Sequence, residues 1–371
     1  MLNAQISGIF YDKWKLIALE CATIQKKFLI EINVSVIIMN EKISVVTGAS
    51  GHIGYALVKA LQAKNEKFRI LIRSESKIFD GILCEKVFGD VTDPDSLEKA
   101  FAEADVVYHL AGIIDVGGGK EELVRNVNVQ GTINVVDACK KCGVRRLIYA
   151  SSVDAVKPLA DDALMAEDTK IDPALIKGVY GKTKAEATRY VLENSGDQLE
   201  AVAVFPAACI GPYDFKVSSP GEMVRMIMRG KLPVSLSFGG YNFVDVRDVA
   251  AGMIGAAEKG RANECYFLTG DVISSDDLIR IISERCGRKP PRVKMPLWLA
   301  KSIAPLAEIY YKLSGGTPLF TRLSVDILTY NCNFCNAKAQ AELGYSPRSI
   351  EDSIGDMVNW IAENEGIACK I

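Results

Sequence analysis

The feature that most restricts how this chain can fold is a short apolar run that breaks into glycine. Ile43-Ser44-Val45-Val46-Thr47 reads as a buried strand. It passes directly into Gly48-Ala49-Ser50-Gly51-His52-Ile53-Gly54 and then into an amphipathic stretch ending near Ala63. The spacing is G-x-x-G-x-x-G. The first glycine permits a tight turn, the second lets backbone approach a pyrophosphate, and the third lets helix and strand pack closely. A helix that opens inside such a turn offers free N–H groups and a partial positive charge to phosphates. The turn predicts a dinucleotide site formed by Gly48, Ser50, Gly51, His52, Ile53 and Gly54.

The rest of the chain repeats the alternation. Apolar runs at 68–72, 85–88, 105–109, 145–149, 199–205 and 264–268 predict strands. Helical patterns fall at about 93–104, 121–141 and 180–194, the first of them opened by Asp93-Pro94. Short buried strands alternating with helices predict an α/β fold, a Rossmann-type doubly wound parallel sheet. From Gly211 onward loops, prolines and helices dominate. Residues 39–210 are therefore expected to be the NAD(P)-binding domain. Residues 211–371 are expected to be mostly a smaller C-terminal substrate-binding cap, interleaved with the last sheet elements. Residues 1–38 have no partner in this pattern. They are expected to be an N-terminal extension, either upstream of the native start or an amphipathic helix on the domain.

Composition excludes several function classes. Among 371 residues, 44 Lys+Arg balance 46 Asp+Glu, so no electrostatic footprint for nucleic acid is expected. The apolar stretch Leu16–Met39 is interrupted by Glu20, Lys26, Lys27 and Glu31, which argues against a membrane span. No basic segment followed by an apolar run and a cleavage site opens the chain. Ten cysteines scattered over a long chain read as reduced thiols and predict a cytoplasmic protein. The pairs Cys139/Cys142 and Cys332/Cys335 have zinc-ligand spacing, but no short knuckle surrounds either, so no metal is expected. With only His52 and His109, the chain lacks material for a histidine-rich metal site or a Ser-His-Asp triad.

Tyr180-Gly-Lys-Thr-Lys184 opens a predicted helix, and residues four apart share a helical face. A lysine ammonium beside a phenol favours phenolate, so Lys184, together with the charge of a bound nicotinamide, is expected to lower the Tyr180 pKa from its usual ~10. The tyrosine can then move a proton while a nicotinamide moves a hydride. Ser151-Ser152 follow the fifth predicted strand, at the sheet edge where ligands of such folds bind. After the second strand, Arg73 stands where an NADP-selective site carries a basic residue, which favours NADP(H) over NAD(H); otherwise it is a solvated loop arginine. Asp90 and Val91 end the third strand, with Asp90 suited to bond an adenine amino group. Leu110-Ala111-Gly112 supply small residues where a cofactor can pass close to backbone.

Between Met39 and Trp360 these motifs occur in the order found in extended short-chain dehydrogenases/reductases, which the chain resembles. The set is Gly48-xx-Gly51-xx-Gly54, Asp90-Val91, His109-Leu110-Ala111-Gly112, Asn128-Val129-Gln130-Gly131-Thr132, Ser151-Ser152, Tyr180-xxx-Lys184 and Pro206 to Gly211-Pro212. The resemblance implies that Ser152 positions substrate and Tyr180 is the acid/base. It implies that Lys184 tunes Tyr180 and binds the nicotinamide ribose. Asn128 is implied as a supporting asparagine, and Pro206 begins a segment along the nicotinamide. Leu147–Val156 and the tail, with Phe320–Ser324 and Leu343–Pro347, resemble the 3β-hydroxysteroid dehydrogenase and dihydroflavonol reductase branch. Asn242–Ala250 is shared with sugar-nucleotide epimerases and does not discriminate. Dehydratases carry an Asp-Glu pair directly after the active-site hydroxyl, whereas Ser152 is followed by Val153-Asp154-Ala155.

The leading expectation is an NADP(H)-dependent oxidoreductase that interconverts a secondary alcohol and a ketone on a small apolar cyclic substrate. The alternatives are a nucleotide-sugar epimerase using the same Ser, Tyr and Lys, and a non-catalytic NADP(H)-sensing protein. Pro296–Pro305 is expected either to line the substrate pocket or to pack within the cap. Family analogy adds a homodimer through helices 121–141 and 180–194.

Overall fold

Strand-forming runs in this chain are apolar on both faces, and the computed structural model pairs them accordingly. It describes residues 42–115, 120–160, 163–169, 171–314 and 320–367; the expectation for residues 1–38 lies outside these. The strands are β1 (Ile43–Thr47), β2 (Phe68–Ile72), β3 (Glu85–Phe88), β4 (Ala104–His109), β5 (Arg146–Ala150), β6 (Glu200–Pro206), β7 (Ala208–Ile210), β8 (Ser235–Leu236), β9 (Gly240–Asp245), β10 (Cys265–Leu268), β11 (Asp271–Ser274) and β12 (Lys294–Met295). The helices are α1 (His52–Ala63), α2 (Pro94–Phe101), α3 (Glu121–Arg125), α4 (Gly131–Cys142), α5 (Val179–Glu193), α6 (Ser219–Met228), α7 (Val246–Lys259), α8 (Ser275–Arg285), α9 (Leu297–Ser314), α10 (Arg322–Ile327), α11 (Ala337–Leu343) and α12 (Ile350–Glu365).

Seven strands form one sheet in the order β10-β6-β5-β4-β1-β2-β3, and every pairing in it is parallel. Every residue of β1 and β2 is buried, as a sheet covered on both faces requires. The order reverses between β1 and β4, and the crevice of a doubly wound sheet opens at that reversal. Helix α1 packs on α7 and α2 on α4. Asp93 caps α2 through its bond to the Asp95 N–H, and Gly143 ends α4 with φ 69°, the left-handed stop a glycine adopts without penalty.

A second sheet, β11-β9-β7, follows the first, with β9 parallel to β7 and antiparallel to β11. Its apolar cluster includes Ile210, Met228, Ile282, Ile354 and Ile361, from β7, α6, α8 and α12. By contrast, α7 and β10 send Val249, Met253, Tyr266 and Leu268 into the main core although they lie beyond residue 211.

The glycine turn shows why its spacing is fixed. Gly48 has φ 72°, and a Cβ there would lie 2.5 Å from the Ala111 nitrogen. A Cβ on Gly54 would lie 2.2 Å from the Gly48 carbonyl oxygen. Helix propensity favours alanine over glycine by about 1 kcal/mol, but overpacking against backbone costs about 1–3 kcal/mol or more. Gly54→Ala is expected to be net destabilising, read as a lower urea midpoint at unchanged slope.

Candidate active site

Strand β5 ends at Ala150, and the chain turns through Ser151-Ser152 into a single 3-10 turn, Val153–Ala155. The two serines diverge. Ser151 points inward and bonds the Thr188 hydroxyl at 2.6 Å. Ser152 Oγ caps the turn, accepting the Asp154 N–H at 3.2 Å and donating to Asp154 Oδ2 at 3.2 Å. Its hydroxyl is near enough to the Tyr180 phenol to pull the phenol pKa down. Helix α5 begins close against this turn because Gly181 has no side chain: a Cβ there would lie 2.5 Å from the Asp154 carbonyl oxygen. Ser152 and Tyr180 are thus brought together as expected.

Lys184, one helical turn on, is buried. Its ammonium donates to the Ala150 carbonyl at 2.6 Å and lies 4.8 Å from the centre of the Tyr149 ring. The protein's own groups do not lower the Tyr180 pKa. Burial, then the Asp154 carboxylate, push the Tyr180 phenol up, and the Ser152 hydroxyl only partly offsets this. The Lys184 ammonium is directed at the Ala150 carbonyl and the Tyr149 ring rather than at the phenol.

Burial lowers the Lys184 pKa to about 8. A lysine whose folded pKa lies below its unfolded value opposes folding most below the folded value, where both states are charged. The contribution of Lys184 to stability should therefore rise as pH climbs from about 8 to above 10. Lys184→Met removes a penalty of about 3 kcal/mol at pH 7 and loses a bond of about 1 kcal/mol to Ala150. The variant is expected to unfold at higher urea concentration than wild type at pH 7, with the gap closing above about pH 10.

Asn128 lies in a π-turn, Asn126–Gln130, that joins α3 to α4. Its side chain accepts the Ile113 N–H at 2.8 Å and donates to the Ile113 carbonyl at 3.0 Å and to Thr183 at 3.1 Å. These bonds fix the segment after β4 against α5, so Asn128 is placed as a positioning residue. A buried network lies beneath it. Thr132 donates to the Asn128 carbonyl at 2.6 Å, so it accepts from His109 Nε2 at 3.0 Å; His109 Nδ1 then accepts from Thr47 at 2.8 Å. Thr47 Oγ1 in turn accepts the Leu110 and Ala111 N–H groups at 3.2 and 3.3 Å. Burial drives the His109 pKa down to about 3. This network holds the ends of β1 and β4 in register at the sheet's reversal.

The remaining cofactor residues can be tested for fit. The N–H groups of His52, Ile53 and Gly54 form the first turn of α1, which contains no acidic side chain. A Cβ on Gly51 would meet only the Gly48 oxygen, at 3.2 Å, so the outer side of the turn is open to a pyrophosphate. The His52 ring donates from Nε2 to the Pro212 carbonyl at 2.9 Å, which leaves its backbone as the phosphate-facing part. Ser50 bonds Lys216, a residue that no sequence motif marks. Arg73, 74% exposed at its side chain, stands 3.9 Å from Asp90, whose other oxygen accepts from Thr92. Val91 is buried against Gly131, where a Cβ would lie 2.8 Å from its methyl. Gly112 passes beside Lys184: a Cβ there would lie 3.6 Å from Nζ. Pro206 ends β6, paired with Leu268. These residues fit a nicotinamide dinucleotide.

Beside Tyr180 opens a cleft. Its walls are apolar: Val153, Val156, Met165, Ile176, Leu323, Ile327 and Phe334. Asp115, Asp154, Lys177, Tyr180, Tyr241, Tyr330 and Asn331 supply its polar groups. Tyr241 donates to Asp154 Oδ1 at 2.7 Å. Burial pushes the Asp154 carboxyl up, while the Tyr241 and Ser152 bonds pull it down. Asp154 could have been found from its place two residues after Ser152; no local signal marks Tyr241 or Leu323. Of the two expectations for Pro296–Pro305, packing is the one observed. Ala300 and Ala304 pack with Val325, and Trp298 and Leu306, 69% and 67% exposed, face solvent rather than the cleft. Cys139 is buried in the main core, and Cys142 Sγ approaches the Glu98 carbonyl at 3.6 Å.

Residues 45–297 match the model of the 3-beta hydroxysteroid dehydrogenase/isomerase family. Sterol demethylase protein B of Methylococcus capsulatus is 31% identical over 326 residues, covering 86% of this chain and 98% of that protein. A putative dihydroflavonol 4-reductase of Synechocystis is 28% identical over 327 residues, covering 86% and 94%. Among solved structures, gox2253 aligns with a TM-score of 0.77 at 31% identity, covering 89% of this chain and all of that one. PA4631, titled a nucleoside-diphosphate-sugar epimerase from Pseudomonas aeruginosa, aligns at 0.72 with 22% identity over 88% and 99%, a likeness of fold alone.

Proposed function

We infer, from the premise that this chain belongs to the 3-beta hydroxysteroid dehydrogenase/isomerase family, that its Ser152–Tyr180–Lys184 site interconverts a secondary alcohol and a ketone on an apolar ring substrate with NADP(H). The chain is an NAD(P)-dependent oxidoreductase of the extended short-chain type. The observation that carries the finer reading is the junction of two features. An apolar cleft lined by the Tyr180 phenol opens beside the turn in which Ser152 follows the carboxyl edge of β5. Steroid- or dihydroflavonol-like rings suit those walls, and relatives carry names of both kinds.

In this reading the glycine turn and the start of α1 bind the pyrophosphate, and Arg73 meets the adenosine 2′-phosphate. A bound nicotinamide supplies the hydride donor or acceptor. Ser152 orients the substrate oxygen, and Tyr180 moves the proton at that oxygen. The protein's own groups keep Tyr180 protonated at neutral pH, the form that donates to a ketone oxygen. Lys184 binds the ribose beside the ring. The later part of the chain closes the cleft through α10 and Phe334. A homodimer through α4 and α5 belongs to the same reading and is tested by light scattering in solution.

The test is NADPH consumption with a panel of 3-ketosteroids, dihydroflavonols and simpler cyclic ketones. Turnover of at least one is expected, with cofactor that exchanges freely. No turnover of any, with NADPH bound, would overturn the reading. One pH prediction follows. Asp154 raises the Tyr180 pKa, so Asp154→Asn should lower it. For alcohol oxidation, which needs the phenolate, the acid limb of kcat/KM should then move to lower pH.

A further inference from the structure

The segment Gly211–Ser218 leaves β7 and passes over the glycine turn, anchored along its length. His52 bonds the Pro212 carbonyl at 2.9 Å. The rings of Tyr213 and Phe215 lie 5.4 and 5.0 Å from the Tyr55 ring on α1. Asp214, 1% exposed, pairs with buried Arg225 at 3.1 Å and accepts the Ser218 N–H. Within this stretch Tyr213 and Val217 take φ of 75° and 50°. Left-handed backbone is disfavoured for any side chain and most of all for a β-branched one. Such outliers persist where the surroundings over-determine them, and they cluster at functional sites.

What this strained strap delivers is Lys216, whose ammonium meets the Ser50 hydroxyl at 2.8 Å. Partial burial lowers the Lys216 pKa, and the charge of Arg73, at the end of β2, lowers it further. Among the described residues no carboxylate lies within ion-pair distance of Lys216, and Arg73 has only Asp90, at 3.9 Å. Two cations and a hydroxyl gathered with so little opposing charge form a site for a dianion. The pyrophosphate is already served by the start of α1, and the end of β2 is where the adenosine ribose of such folds lies.

We propose that Lys216 is the second cation of a bracket for the adenosine 2′-phosphate of NADP(H), completed by Arg73 and the Ser50 hydroxyl. The inference rests on the NADP(H) reading above and deepens it. The strap makes cofactor choice depend on a residue 166 positions from the glycine turn.

Equilibrium binding to the full chain tests it, with NADPH and NADH followed by fluorescence and with 2′,5′-ADP and ADP by calorimetry. Wild type should favour the 2′-phosphorylated member of each pair. Lys216→Ala should weaken NADPH and 2′,5′-ADP by about tenfold or more, the worth of one charge-assisted bond, and change NADH by less than about twofold. Lys216→Arg should restore most of the loss. The Lys216 side chain is exposed, so unchanged melting of the variants is expected. Equal weakening of NADPH and NADH would assign the ammonium to the pyrophosphate and overturn the bracket. A wild type that prefers NADPH, and keeps that preference in Lys216→Ala, would overturn the bracket alone. A wild type that binds NADH at least as well as NADPH would defeat the NADP(H) reading and the bracket with it.

Discussion

Tyr180→Phe is expected to lower turnover by about a thousandfold, within the range general acid catalysis supplies, while NADPH affinity shifts by less than about threefold. The phenol oxygen is the group that reaches both Ser152 and the cleft, and removing it leaves the aromatic ring to fill the same space. Steady-state kinetics on whichever ketone turns over, paired with cofactor titration, separates the two effects. Near-normal turnover in the Tyr180→Phe variant would remove Tyr180 from the chemistry. Ser152→Ala should cost less, because orientation is partly retained by the cleft walls, and its loss should appear in kcat more than in cofactor binding.

The largest effect on stability is expected from Arg225→Met. Arg225 and Asp214 are 3% and 1% exposed at their side chains, and Arg225 also bonds Glu365 at 2.6 Å and the Asp214 carbonyl at 3.1 Å. Deleting one partner strands a buried carboxylate, which costs about 3–5 kcal/mol. Removing both charges, as in Arg225→Met with Asp214→Asn, should recover much of that loss. Urea unfolding of the three proteins tests the ordering. If the single variant loses less than about 1 kcal/mol, Asp214 has found water and the pair is not the anchor described. Because the pair holds the strap, the single variant should also weaken NADPH more than NADH.

The local part of this molecule is legible in its sequence and the long-range part is not. Runs such as Ala201–Phe205 are apolar on both faces, and that pattern alone marks a covered parallel strand. The edges of such runs are softer, so the strands expected at 105–109 and 145–149 lie at Ala104–His109 and Arg146–Ala150. Ser152, Tyr180 and Lys184 can be read from the sequence because the start of one helix brings two of them together. Tyr241 and Lys216 reach the site across 87 and 166 residues, a proximity that no spacing encodes. The stretch Pro296–Pro305 shows the limit of an apolar pattern. It says that a helix has a face to bury but not which neighbour will cover it; here two alanines admit Val325, while Trp298 stays outside. The Tyr180 pKa shows a different limit. Four-residue spacing places an ammonium on the right face, but the competing carbonyl of Ala150 decides where it points.

The locked ring of His109 has one more consequence. Both histidines of this chain titrate below their ordinary value, His52 as well as His109. Burial makes both imidazoles harder to protonate than a free one. An inflection of its rate just above neutrality would therefore point to the Lys184 amine, lowered to about 8, before any histidine.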